Sequence, residues 1–162
     1  MSIITLRSEL WHPLFVHFPI VVTVLSLLLF IGARLFKNSW WQTSAQVFLY
    51  SAIFLLSLAL FTGDFAEDVV KRSLCDVRTL HEHEEHAYQT LYFLLTALAA
   101  NISIYASKNY WPQGKNILLT LEMLGLLSAN ISLVITGHYG SQLVYEQGAA
   151  VKNYKADCTK IP

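Results

Sequence analysis

Charge is scarce in this chain. Of 162 residues only 14% are Asp, Glu, Lys or Arg, the formal net charge is zero and 54% are hydrophobic. With a mean hydropathy of +0.44, the chain is too apolar for an ordinary soluble domain of this length. The absence of a basic patch outside two short loops leaves no electrostatic footprint for nucleic acid. Cysteine occurs twice, at Cys75 and Cys158, so no Cys-x-x-Cys-His run exists to attach a haem covalently. A nucleophile elbow, a phosphate loop and an HExxH run are missing as well, which removes the hydrolytic classes they serve. An electron carrier or accessory subunit is therefore expected ahead of an enzyme. Low-complexity tracts, Gly/Ser linkers and a convincing internal repeat are also lacking, and one domain over 1–162 is the expectation.

What the chain does have is long apolar runs. A span needs roughly 20 apolar residues to cross about 30 Å of hydrocarbon, and four stretches qualify, at 14–36, 43–63, 86–106 and 116–138. The expected fold is all-α, an integral membrane four-helix bundle in contact with the lipid bilayer. Met1 to Pro13 carries Arg7 and Glu9 and no small-residue cleavage site, so the first block reads as a retained span. Residues 64–85 are amphipathic and rich in charge, from Glu67 and Asp68 to Glu84 and Glu85, which predicts an extra helical lid, a hairpin lying over one mouth of the bundle. Residues 139–162 form a tail on that same side.

Orientation rests on the short loops. Arg34, Lys37, Lys108 and Lys115 stand in the connections 34–42 and 108–115 without an acid, whereas ten of the eleven carboxylates lie on the opposite side. The positive-inside tendency places these loops in the cytoplasm and both termini in the periplasm of a bacterial inner membrane. Cys75 and Cys158 then share the oxidising side, where a disulfide would persist and pin the tail across the lid; two unrelated free thiols are the other possibility. Trp40, Trp41, Tyr110 and Trp111 on one side, with Trp11, Phe15, Tyr139 and Tyr145 on the other, read as interfacial aromatic belts.

The six histidines bracket the apolar blocks. His12 and His17 stand at the head of the first, His81, His83 and His86 at the head of the third, and His138 at the tail of the fourth. Antiparallel spans gather them at one membrane face, where ligand-capable side chains are costly unless they pair, face a cavity or hold a ligand. Imidazoles on facing helices are the usual axial ligands of haem b. His17 with either His86 or His83 is the first expected pair and His138 the alternative partner, with Glu67, Arg72 and Arg78 in the lid available to orient ligands or neutralise propionates. A non-haem iron, copper or zinc site is the competing expectation, built from His83, His86, His138 and a carboxylate such as Glu67 or Glu82. In the inner half the polar side chains are Asn101, Asn130 and Glu122, with no histidine, which argues against transmembrane electron flow through this chain alone.

Several motifs carry a resemblance. Trp11-His12-Pro13-Leu14-Phe15-Val16-His17-Phe18-Pro19-Ile20, Thr62-Gly63-Asp64-Phe65-Ala66-Glu67, His83-Glu84-Glu85, Gly137-His138-Tyr139-Gly140 and Leu143-Val144-Tyr145-Glu146-Gln147-Gly148 occur in order. They resemble the HP-x-x-VHFPI, TG-x-x-AE, HEE, GH-x-GG and LVY-x-x-G motifs of a bacterial four-span inner-membrane family of unknown function. The resemblance implies the four-span fold. It favours His12, His17, Glu67, His83 and His138 as site residues, with His81 and His86 as additions of this chain. Relatives fused to cytochrome c or Rieske-like modules imply a setting in periplasmic electron transfer.

Three functional expectations follow. The first is a b-type haem electron-transfer subunit, with a periplasmic cytochrome c or another redox subunit as partner. The second is a cofactor-free structural or assembly subunit of a larger respiratory or photosynthetic complex, as a homo- or hetero-oligomer. The third is a metal-binding membrane protein using the His/Glu cluster.

Overall fold

A computed structural model describes residues 10–151 and 158–159. The basic and acidic residues expected before position 10, and most of the tail beyond 151, lie outside the described residues. Four long helices make the bundle: α1 (Trp11–Phe36), α2 (Ser39–Val70), α3 (Val77–Ala106) and α4 (Lys115–Tyr145). Each contains a stretch long and apolar enough to cross a membrane. Their exposed faces carry Phe18, Val21, Leu28, Phe54, Phe61, Ile131 and Val134, an outward apolar surface that suits lipid and would be a liability in water. The interior is built largely of small residues, among them Ala45, Ala52, Ala59, Ala97 and Ala129. Membrane helices gain little from burying large apolar groups away from lipid, and small residues let backbones come close. At Gly125, for example, an added Cβ would meet the main chain of Phe93 and Ala97 at 3.0 Å.

The helices overrun the apolar blocks at the end that holds the histidines. α2 continues to Val70 and passes through a 3-10 turn at Lys71–Ser73, and α3 already begins at Val77. The lid expected as an extra element over 64–85 is therefore the overhang of α2 and α3 themselves, forming a helical hairpin. Hydropathy measures the hydrocarbon-facing length, and polar turns that continue the same helix into water escape it. Asp76 stops the chain from fraying at the start of α3: its carboxylate accepts from the Arg78 amide and the Thr79 hydroxyl, both at 2.8 Å. On α1 the earlier start matters differently. With the helix beginning at Trp11, Pro19 is an interior proline, and the Phe15 carbonyl loses its helical donor.

After α4 the chain turns back over the hairpin, through Gly148 and Ala150 at positive φ. Leu143 and Ala149 pack with Leu80, Val70 and Leu74. The buried Gln147 side chain accepts from the Asp76 amide at 2.8 Å, and a disulfide joins Cys75 to Cys158. The tail is thus fastened to the α2–α3 connection.

α1 packs chiefly on α2 and α3 on α4, while α2 meets α3 and α1 meets α4 to a similar, lesser extent. The two hairpins are copies of one plan, which corrects the expectation that the chain has no internal repeat. A shift of 71 residues carries His12 and the buried Pro19, Thr23, Ser26 and Phe30 of α1 onto His83, Thr90, Leu94, Ala97 and Asn101 of α3. A shift of 77 carries Ala45, Leu49, Ala52, Leu56, Ala59 and Ala66 of α2 onto Glu122, Leu126, Ala129, Leu133, Thr136 and Leu143 of α4. All of these α2 and α4 positions are buried. The bundle has the symmetry of parallel repeats about an axis along the helices.

Candidate functional site

The repeat places two histidines as equivalents. His12, in the first turn of α1, bonds through Nδ1 to the Ala59 carbonyl of α2 at 2.9 Å. His83, on the overhang of α3, bonds through Nδ1 to the Thr136 carbonyl of α4, also at 2.9 Å. One helical turn beyond each carbonyl stands a glycine that gives the ring room. A Cβ on Gly63 would come within 3.2 Å of the His12 ring, and one on Gly140 within 3.1 Å of the His83 ring. Because a carbonyl only accepts, both Nδ1 atoms carry the proton, and Nε2 keeps the lone pair that a ligand or metal would use.

The two rings face each other across the junction of the hairpins, centroids 6.0 Å apart and planes at 90°. Two imidazoles sharing one metal through bonds of about 2.1 Å would hold their centroids at roughly this separation. Beside them lies a cavity of about 330 Å³ whose walls are mainly apolar, including Val16, Ile20, Leu60, Ala87 and Leu143. His17, Asp64, Glu67 and Glu84 also line it. The volume is in the range of small-molecule and cofactor pockets, about 300–1,000 Å³.

The other expected ligands fall elsewhere. His17 lines the cavity but is largely exposed. His86 turns away: its Nδ1 meets the Gln89 amide oxygen at 3.1 Å and its ring stacks on Tyr139. His138 is exposed, against the other side of Tyr139, and His81 is exposed as well. Glu67 stands on the wall of the cavity in an ion pair with Lys71 at 3.2 Å. Of the candidates His12, His17, His83, His86 and His138, the two rings set face to face are His12 and His83, rather than His17 with His86. Among the described residues no three His, Cys, Asp or Glu side chains converge into a metal-binding group, so His17, His83, His86, His138 and Glu67 do not form one ligand shell. The apolar blocks mark the helix ends too late or too early at this face, by three residues at the start of α1 and by nine at the start of α3.

Sequence reasoning missed three features: the glycines behind the rings, the carboxylates of Asp64 and Glu84 on the cavity wall, and the repeat itself. A signal for the last was present. Leu49, Ala52, Leu56 and Gly63 recur at identical spacing as Leu126, Ala129, Leu133 and Gly140, but four shared residues are hard to see among apolar runs.

At the opposite end, near the basic loops, a second polar cluster joins three helices. The Tyr50 hydroxyl donates to Asn101 Oδ1 at 3.3 Å, and Asn101 Nδ2 donates to Glu122 Oε1 at 2.9 Å.

No curated protein and no solved structure matches the chain. A family model described as "Predicted membrane protein (DUF2231)" matches residues 10–153, from just before His12 to just beyond the turn at Gly148, and the span of that match, together with four apolar helices, establishes that the chain belongs to this membrane-protein family.

Proposed function

We propose that the protein is a b-type haem subunit that passes electrons at the periplasmic face of a bacterial inner membrane, with His12 and His83 as the residues that would hold the haem iron. The observation that carries this reading is the equivalence of the two imidazoles. Each is fixed in one tautomer by a main-chain carbonyl of the neighbouring helix, each is backed by a glycine, and the two sit 6.0 Å apart on separate hairpins. A two-nitrogen set, with no third ligand converging on it among the described residues, suits a group that brings donors of its own. A closed non-haem site would ask for three or four.

When bound, such a group supplies a reversible one-electron couple. The chain's residues would do the rest. The Ala59 and Thr136 carbonyls orient the rings and raise the basicity of Nε2. Val16, Ile20, Leu60 and Leu143 keep water from the cavity wall. Asp64 and Glu84 stand beside it, with Glu67 paired to Lys71, and their negative charge would favour the more positive oxidised state and lower the potential. Because no histidine lies in the other half of the bundle, electrons would enter and leave at one face, which suits a periplasmic cytochrome c or a second redox subunit as partner.

The test is the visible spectrum and metal content of protein purified from haem-replete cells. A red protein with one haem iron per chain, lost in His12→Ala and in His83→Ala, supports the reading. A colourless protein with stoichiometric iron, copper or zinc would move the site to non-haem chemistry. A colourless, metal-free protein would leave the structural subunit.

A further inference from the structure

The repeat makes one departure conspicuous. At the level 18 residues from the histidines, the first hairpin buries Phe30 against Ala45, whereas the equivalent pair in the second is Asn101 with Glu122. The same packing position is thus filled by apolar residues in one copy, so the fold itself does not require polar groups there. Glu122 is only 4% exposed. A carboxyl inside a membrane helix is costly, and such residues mark ion or proton sites more often than packing.

The hydrogen bonds around Glu122 are directional. With the Tyr50 hydroxyl donating to Oδ1 of Asn101, the Asn101 amide nitrogen must face the carboxyl, and Glu122 Oε1 is its acceptor. Oε2 is left buried with no hydrogen-bond partner among the described residues. Beside Glu122 lies a separate cavity of about 80 Å³, lined also by Arg34 of α1, Gln46 of α2, Tyr105 of α3 and Lys115 of α4. It holds room for a few water molecules and offers them several polar partners. Gln42 and Gln46 both donate to the Tyr105 hydroxyl at its edge.

We propose that Glu122 is a proton-binding site, loaded on Oε2 from water in this small cavity at the basic-loop end, with Asn101 as its positioning residue. Binding is a simple protonation: Oε2 accepts a proton from water and returns it, with no bond to carbon changed. The charged and titratable groups facing it are Arg34 from α1, Tyr50 from α2, Tyr105 from α3 and Lys115 at the start of its own helix. The site does not depend on the histidine end, and its test does not involve a haem.

The experiment uses full-length purified protein in lipid nanodiscs, titrated from acid to alkaline pH. Infrared difference spectra are recorded in H₂O and D₂O, and dicyclohexylcarbodiimide, which modifies protonated carboxyls in apolar surroundings, is mapped by mass spectrometry. The expected result is a carboxyl stretch that disappears reversibly as pH rises, shifts in D₂O and is absent in Glu122→Gln. Carbodiimide modification of Glu122 should fall about tenfold per pH unit above the midpoint of that loss. Asn101→Leu should move the midpoint while leaving the protein folded. If Glu122→Gln fails to fold, the wild-type titration and the mapped adduct still decide. A Glu122 that takes no carbodiimide at any pH, or whose infrared signal is the same from acid to alkaline pH, would overturn the proposal.

Discussion

At His12 and His83 one hydrogen bond does two jobs: it holds the ring against rotation and assigns the proton to Nδ1. Replacing either histidine by Ala should abolish six-coordinate haem binding, whereas His86→Ala and His138→Ala should leave the Soret band in place, since both rings lie against Tyr139 and away from the cavity. The glycines give a finer test. Gly63→Ala and Gly140→Ala each bring a methyl within 3.1–3.3 Å of an imidazole, and a displaced ring loses ligand strength. Each should weaken haem retention by about 10–100-fold, the usual cost of disturbing the support of a ligand, as read by transfer of haem to apomyoglobin. Of these residues the motifs already singled out His12 and His83, while Gly63 and Gly140 stood in the same motifs without a role assigned to them. What a sequence does not reveal is which way a ring points on a helix whose start is uncertain by a turn, and so His17 and His86 looked as eligible as the pair that meets.

Among the elements, the overhanging hairpin of α2 and α3 carries the most exposed polarity. The Asp76 carboxyl is held below its usual range by the Thr79 hydroxyl and then by the Arg78 amide. A carboxyl depressed in the folded state contributes stability above its unfolded value, about pH 4, and that contribution is lost as pH falls through the lower folded value. Asp76→Ala should therefore destabilise the α3 start by about 1 kcal/mol at neutral pH. The difference from wild type should vanish in strong acid, as checked by limited proteolysis of the 71–80 segment across pH. The four apolar blocks were legible because lipid imposes length and composition. The helical hairpin over 64–85 was legible from its amphipathic charge pattern; that it continues α2 and α3 was not, because helix continuation into water is set by hydrogen bonding and caps such as Asp76, to which hydropathy is blind.

For the molecule as a whole, the two hairpins are tight internally and meet one another more thinly, with the imidazole pair at their junction. A group held by one ligand from each hairpin would clamp them together. Haem-free protein should accordingly show faster amide hydrogen exchange at the ends of α1 and α3 near the histidines, while the α1–α2 and α3–α4 cores stay protected; equal loosening everywhere would speak against a clamp. The repeat was hidden from the sequence because buried positions in a membrane core demand smallness more than identity, as Thr23 against Leu94 and Ser26 against Ala97 show. It became visible once burial could be compared position by position. The central claim is that His12 and His83 share one guest, and the most direct measurement is the reduced-minus-oxidised spectrum of the purified wild type beside His12→Ala and His83→Ala. A low-spin bis-imidazole haem spectrum in the wild type, lost in both variants, is the expected result; a haem spectrum that survives both substitutions, or a haem-replete wild type with no haem spectrum, would contradict it.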